Sequence, residues 1–352
     1  MSRFVPAAVG ALALAIIAFF ALVIAVIPST ILGSEPSTYL GPTSATGVAN
    51  VTVKDGESAK DIAVALQDAG VIQSARLFRV LVAFMGIEDT LLAGDYEFDK
   101  GMVTLTVIDR IHNGITAPIM VTIPEGLRIE EVGALLEKKG VVSASDFVTA
   151  AKKTDYNFPF LQGLSNASLE GYLFPATYGF SRSVTAEQAV EQMLTAFRDK
   201  VVPEVQPQAA STGLTMNQII TLASIVEREA VKPEERPLIA SVFVNRIKVG
   251  MALQADPTVQ YAIAADPQSV ARYGYWKQQL STSDLQVVSP YNTYVSTGLP
   301  PGPIAAPGLD SIKAVLQPAH TNYLFFVAKG DGSHAFAETL DEQLQNIQKY
   351  QH

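Results

Sequence analysis

The sequence predicts an α+β protein in three parts: a single N-terminal transmembrane helix, a small α+β module, and a larger mixed α+β domain. Three observations carry this reading. An uncharged apolar run fills residues 4–27, a strand–turn–helix pattern occurs at 51–72 and again at 121–142, and two helical stretches at 215–230 and 235–247 precede a hairpin pattern at 323–337. At 352 residues the chain exceeds what one compact core usually holds. Hydrophobic residues make up 48% and charged residues 17%, the balance of a folded chain rather than a disordered one.

The N-terminal run, FVPAAVGALALAIIAFFALVIAVI, is long enough for a membrane helix, which needs ~20 apolar residues. Arg3 precedes it and the next basic residue is Lys54, so the positive-inside rule puts the N-terminus in the cytoplasm and the body outside. The apolar region of a cleaved signal peptide is shorter, ~7–15 residues. No A-x-A site follows promptly, and an uncleaved anchor over 4–31 is expected. That places the protein in the cell (inner) membrane as a single-pass protein, with its body periplasmic or extracytoplasmic. Residues 32–48, rich in Pro, Ser, Thr and Gly, read as a flexible linker.

Residues 49–118 form the expected small module. VTVKDGESAKDIAVALQDAGVI gives a strand with Val51 and Val53 on one face, a Gly turn, and a helix striped by Ile62 and Leu66. RLFRVLVAFMG reads as a second helix, AGDYEF as a strand, and TLTVIDRIHNG as a third helix. The opening pattern returns as VTIPEGLRIEEVGALLEKKGVV at 121–142, inside the larger domain expected over 119–352. One repeat of a supersecondary unit is too few for a solenoid.

Composition removes whole classes of function. A net charge of −9 offers no electrostatic reason to bind nucleic acid or to adhere broadly to anionic lipid. With no cysteine there are no disulfides, thiolate nucleophiles, iron–sulfur clusters or thiolate zinc sites. The histidines, at 112, 320, 334 and 352, form no H-E-x-x-H pair, and neither G-x-S-x-G nor G-x-x-x-x-G-K occurs. His334 lies in the hairpin pattern, as a strand residue or a groove wall. Carboxylate acid–base chemistry is what remains, and no metal or cofactor is expected.

The stretch ASIVEREA, 223–230, holds the most telling carboxylates. Thr215 can cap its helix, and Ile219, Leu222, Ile225 and Val226 mark an apolar side. Glu227 follows Val226 by about 100° of rotation and can sit at the edge of that stripe. Desolvation penalises an anion at such an edge, which suits a general acid. An exposed Glu pairing with Arg228 or another basic residue is the alternative. Glu229 lies about 200° from Glu227 and should face elsewhere, so the two are not expected to act as a dyad.

ASIVERE, VNRI, LQADPTVQYA, SPYNTY and GLPPGPIAAPG, in this order, together with LEGYLFPATY at 169–178, are similar to the motifs of the endolytic murein transglycosylase (MltG, YceG-like) family. The resemblance spans nearly the whole chain, and the opening of the small module resembles a LysM-like module. It implies a membrane-anchored lytic transglycosylase that cuts the MurNAc–GlcNAc bond of nascent peptidoglycan strands, leaves 1,6-anhydroMurNAc ends and ends glycan polymerisation. Glu227, the first Glu of the family's A-S-I-V-E-x-E, is the implied catalytic acid. Glu170, Gln254, Asp256, Thr258, Tyr291, Asn292 and Tyr294 are the implied cleft residues, with Asn292 placed to orient the acetamido group or the developing charge. Penicillin-binding synthases are the implied partners. Arg228 and Ala230 stand where the family usually shows Lys and Thr, Ala306 where it commonly has Asn, and Ala176 where it has Asp. A lysozyme-like muramidase, with Asp256 or Glu170 as base, and a non-catalytic wall-binding scaffold are the alternatives.

Overall fold

The computed structural model describes residues 46–114, 117–162, 164 and 168–351. The expected anchor (4–31) and the expected linker up to residue 45 lie outside these. Among the described residues no helix is long and apolar enough to cross a membrane. The chain divides into two compact units, one up to Pro118 and one from Ile119 onward.

In the first unit strand β1 (Val48–Val53) pairs antiparallel with β2 (Gly94–Asp99). Val51 and Val53 share a face with Tyr96 and Phe98, and all four are buried, as the period-2 pattern requires. Helices α1 (Ala59–Asp68), α2 (Ala75–Met85) and α3 (Thr104–His112) cover that face. Ser58 and Ser74 cap α1 and α2 by accepting from the amides of Asp61 and Leu77. Ile62 and Leu66 are buried on α1, whereas Val64 is exposed.

The second unit opens with the same strand–turn–helix: β3 (Ile119–Thr122), then α4 (Ile129–Lys138). Gly56 and Gly126, at equivalent turn positions, have φ of +71° and +77°, so the repeated sequence repeats a backbone conformation. Pairing differs. β3 runs antiparallel to β4 (Thr177–Phe180), which follows α5 (Ala144–Ala151). Helices α6 (Ala186–Lys200) and α7 (Val202–Thr212) lead to α8 (Met216–Glu229).

Helix α8 is the centre of this unit. Thr215 and Gln218 form a reciprocal capping box at its start. All eight residues from Ile219 to Val226 are buried, so the helix is enclosed on every side rather than lying along a surface. Helices α9 (Arg236–Lys248) and α12 (Leu309–Leu316) pack on it. The proline-rich segment 298–308 runs against it. Ile304 donates its amide to Ser224 Oγ at 3.0 Å, and that hydroxyl donates to the Thr221 carbonyl at 2.7 Å. A small polar residue inside an apolar helix thus fastens an extended segment. Ala306 exchanges backbone bonds with Gly126 and Leu127, tying the segment to the turn before α4 as well.

The rest comprises α10 (Asp256–Ile263), α11 (Pro267–Tyr273), the hairpin β5 (Phe325–Ala328) and β6 (His334–Ala337), and α13 (Leu340–Tyr350); α10 packs on α8 and α13 on the hairpin. The hairpin and the helix at 235–247 lie where the sequence patterns place them, within one or two residues.

Gly171 holds the LEGY segment against the proline-rich wall. Its φ is +84°, and a Cβ there would fall 2.4 Å from the Pro303 ring. Gly171→Ala should therefore lose about 3 kcal/mol, combining left-handed strain with overpacking against a rigid ring. Urea unfolding of the variant beside wild type measures it.

Candidate active site

Three ionisable residues in succession, Glu227, Arg228 and Glu229, end α8. Each helical step turns about 100°, so the three side chains leave in different directions and enter different surroundings.

Glu227 goes to the start of α12. Its Oε2 accepts from the Gly308 amide at 3.0 Å and from Ser311 Oγ at 2.7 Å, and its Oε1 lies 3.4 Å from Arg236 Nη2. Arg236 Nε in turn donates to Ser311 Oγ at 3.1 Å. The Glu227 side chain is 8% exposed. With both lone pairs of Oε2 used and Oε1 facing a guanidinium, the carboxylate is a pinned acceptor at a helix N-terminus. It joins α8, α9 and α12. Glu125 lies beside the same group, where burial and the Glu227 charge push its carboxyl up while Arg236 opposes them. A Cβ at 308 would fall 2.0 Å from the Glu125 carboxyl, so any larger residue there would displace that side chain.

Arg228 lies over the Trp276 ring, 3.8 Å from its centroid, and donates to the Gly126 carbonyl at 3.3 Å. Trp276 Nε1 donates to Glu131 at 2.9 Å. Next to this, buried Arg128 lies over Tyr261, 4.2 Å from the ring centroid, and Tyr261 packs on Tyr291 at 4.7 Å.

Glu229 enters a cavity of about 330 Å³, whose lining includes Arg246, Gln254, Asp256, Tyr294, Phe326 and His334. Burial pushes its carboxyl up to about 8; Asp256 acts in the same direction, and Arg246 and Arg228 oppose. No hydrogen bond holds the Glu229 carboxyl among the described residues. Asp256 Oδ1 accepts from Tyr294 OH at 2.6 Å. Gln254 has a φ of +49°, alone among the described non-glycine residues in being positive. That conformation costs ~1–3 kcal/mol and persists only where its surroundings enforce it. They do so here: Arg246 Nη1 donates to the Leu253 carbonyl at 2.8 Å, the Gln254 amide donates to the Thr293 carbonyl, and the Ala255 amide donates to Thr293 Oγ1. A polar cavity holding a carboxyl group that keeps its proton near neutral pH, beside a second carboxylate, a phenol and an amide, can perform acid–base chemistry on a polyhydroxylated ligand.

A family model described as the YceG-like family matches residues 51–349. The chain belongs to the YceG-like family. It is 34% identical to the endolytic murein transglycosylase of Bacillus subtilis (strain 168), over 86% of this chain and 84% of that protein. It is 30% identical to the endolytic murein transglycosylase of Streptococcus pneumoniae (strain D39), over 88% of this chain and 60% of that longer protein. The crystal structure of a yceG-like protein from Listeria monocytogenes is similar with a TM-score of 0.58 and 32% identity, covering 85% of this chain and 98% of that one.

Within this YceG-like chain the residues singled out by sequence fall into four places. Gln254, Asp256 and Tyr294 gather around the Glu229 cavity. Glu170 and Tyr291 lie instead by Arg128. The Glu170 carboxyl accepts from the Ile129 amide at 3.3 Å at the start of α4, and burial pushes it well above the carboxylate range. Thr258 and Asn292 are scaffold. Thr258 is sealed and bonds to the Ala255 carbonyl and to Thr293, and Asn292, also sealed, donates to the carbonyls of Leu285 and Val287 and accepts from the Tyr294 amide. Neither offers a free group to a glycan, which corrects the cleft roles expected for them. Glu227 is the fourth place, a structural junction. Sequence reasoning passed over Glu229. The signal for it was its 200° separation from Glu227, which sends it toward whatever packs across the helix. Among the described residues no cluster of His, Asp and Glu could hold a metal ion.

Two stability measurements separate the acids. Glu227→Ala leaves the Gly308 amide and the Ser311 hydroxyl without their acceptor, removes one carboxylate partner of Arg236, and should cost about 3 kcal/mol. Glu229 behaves differently, because its folded value, about 8, lies above the ~4.3 of an unfolded glutamate. The native chain holds this proton where the unfolded chain has released it. The stability it contributes is therefore full below about pH 4.3 and is lost as pH rises through about 8. Glu229→Gln removes that dependence. Relative to wild type it should be more stable at about pH 9 than at about pH 5, read from urea midpoints at both.

Proposed function

We propose that this protein is a peptidoglycan lytic transglycosylase that cleaves glycan strands endolytically, with Glu229 as its acid. The activity is the one named for its relatives in Bacillus subtilis and Streptococcus pneumoniae. The choice of Glu229 over Glu227, the residue expected from the sequence, rests on one observation. Glu229 lines a polar cavity with its carboxyl raised to about 8, whereas both oxygens of Glu227 are engaged by Gly308, Ser311 and Arg236.

The chemistry follows from a protonated carboxyl in that cavity. Glu229 gives its proton to the glycosidic oxygen as the bond to C1 of the muramic sugar breaks. The carboxylate so formed takes the proton of that sugar's own 6-hydroxyl, whose oxygen attacks C1. A 1,6-anhydro ring closes, and neither water nor a metal takes part. The attacking group is already tethered, so one carboxyl group can serve both steps. Asp256, held by Tyr294, adds negative charge that favours the protonated form of Glu229 and also stabilises cationic character at C1.

Asp256 also supports a hydrolytic reading, as a base for water in a muramidase. Products decide between the two. Mass spectrometry of digested glycan should show anhydro ends, and reducing ends would establish hydrolysis instead. Glu229→Gln should lower the rate by about 10²–10⁴-fold, while Glu227→Gln should spare turnover in whatever fraction remains folded. Activity should fall as pH rises through about 8, because the acid must hold its proton.

The same reading places the protein at a membrane. The uncharged run over residues 4–27 and the absence of basic residues between Arg3 and Lys54 support a single-pass anchor with the enzyme outside the cytoplasm. Anchored there, the cavity meets strands as they are made, which agrees with ending polymerisation beside penicillin-binding synthases. The strand–turn–helix opening of the first unit supports a LysM-like role in holding glycan.

A further inference from the structure

The hairpin carries a polar group that the mechanism does not use. His334, the first residue of β6, is 8% exposed and lies among the residues that line the Glu229 cavity. Glu235, immediately before α9, grips it twice: Oε1 accepts the His334 amide at 2.9 Å, and Oε2 lies 2.7 Å from Nδ1. An ionised carboxylate can only accept, so Nδ1 carries the ring hydrogen. In the neutral ring the lone pair then resides on Nε2. Phe326 stands edge-on to the imidazole at 5.3 Å and Phe336 packs against it at 6.4 Å, fixing the ring plane. Nε2 has no partner among the described residues, nor is it among the buried unpaired atoms. A carboxylate that fixes the tautomer of a histidine, and leaves the other nitrogen open beside an acid, presents an oriented acceptor.

We infer that His334 is a substrate-binding residue whose Nε2 accepts a hydrogen bond from a sugar hydroxyl of the glycan seated in the Glu229 cavity. A glycan is rich in hydroxyl donors, and an acceptor whose ring plane and tautomer are fixed suits one of them. A rigid imidazole acceptor adds alignment to the sugar held beside Glu229. This inference rests on the cavity being the site of cleavage, and the experiment is arranged to fail separately from that reading.

Three measurements test it. In His334→Asn the side-chain amide can still donate to Glu235, but nothing replaces Nε2. That variant should melt close to wild type and lose about tenfold in kcat/KM, the worth of one hydrogen bond to substrate, mostly through KM. His334→Ala, which also loses the side-chain bond to Glu235 while keeping the backbone one, should melt lower as well. If His334→Asn cleaves glycan at the wild-type rate, the imidazole is only a latch between β6 and α9, and the inference is overturned. The third measurement needs no variant at position 334. In Glu229→Gln, which should bind but not cut, ¹⁵N spectra of the imidazoles are followed as uncrosslinked glycan strands are added. Nε2 of His334 should shift while His112 and His320 stay; an unmoved His334 signal would also overturn the inference. Should Glu229→Gln turn over like wild type, the acid assignment fails. The His334 signal then still reports whether glycan reaches this ring.

Discussion

Helix α8 is sealed from Ile219 to Val226, and this constraint shapes everything at its C-terminal end. A buried helix can place ionisable groups only where it leaves the core, and here three arrive together. Because each step turns about 100°, adjacent residues cannot share an environment. Glu227 meets a helix start, a hydroxyl and a guanidinium. Arg228 meets the face of Trp276. Glu229 meets a cavity. One turn of helix therefore yields a junction, a clamp and a candidate acid from residues that look interchangeable in the sequence.

The wall opposite Glu229 is held from behind. Arg246 is buried and donates to the carbonyls of Ala252, Leu253 and Leu324, so a single side chain fastens the loop before α10 to the start of the hairpin. Thr258 and Thr293 tie the same loop from the other side. These bonds explain how Gln254 can hold a left-handed conformation. They also explain why Thr258 and Asn292 belong to a functional-looking motif without touching a ligand: they set the geometry that Gln254, Asp256 and Tyr294 present.

Much of this architecture was legible in the sequence because it depends on local rules. The alternation of Val51 and Val53, the Thr215 cap, the stripe on α1 and the Gly-bounded hairpin follow from neighbours close in the chain. Pairing of the strands did not: β1 and β3 open similar patterns, and each finds its antiparallel partner only after two helices, at 94–99 and 177–180, a separation that no local rule states. The site was legible as a set of phrases but not as a division of roles. Tyr291, Asn292 and Tyr294 stand within four residues, and they reach a ring stack, the scaffold and the cavity respectively. For the two acids the sequence argument weighed the apolar edge of α8 but could not see which partners waited there. Donors from residues 308, 311 and 236, which engage the Glu227 carboxylate, are invisible until the chain folds.

The cations near Glu229 complete the same logic. An arginine beside a carboxyl group normally ionises it by forming a paired, charge-assisted bond. Arg246 faces the cavity, but its Nε and Nη1 donate to three backbone carbonyls. Arg228 is engaged by the Trp276 ring and the Gly126 carbonyl. Both guanidinium groups still pull the Glu229 value down through space, yet neither donates a hydrogen bond to its carboxyl among the described residues, and burial with the Asp256 charge outweighs them. Positive charge is thus kept close enough to steady the fold while the carboxyl group retains its proton. Replacing those carbonyl bonds, for instance by shortening Arg246, would do more than loosen a loop: it would remove the grip that enforces the Gln254 conformation and with it the shape of the cavity.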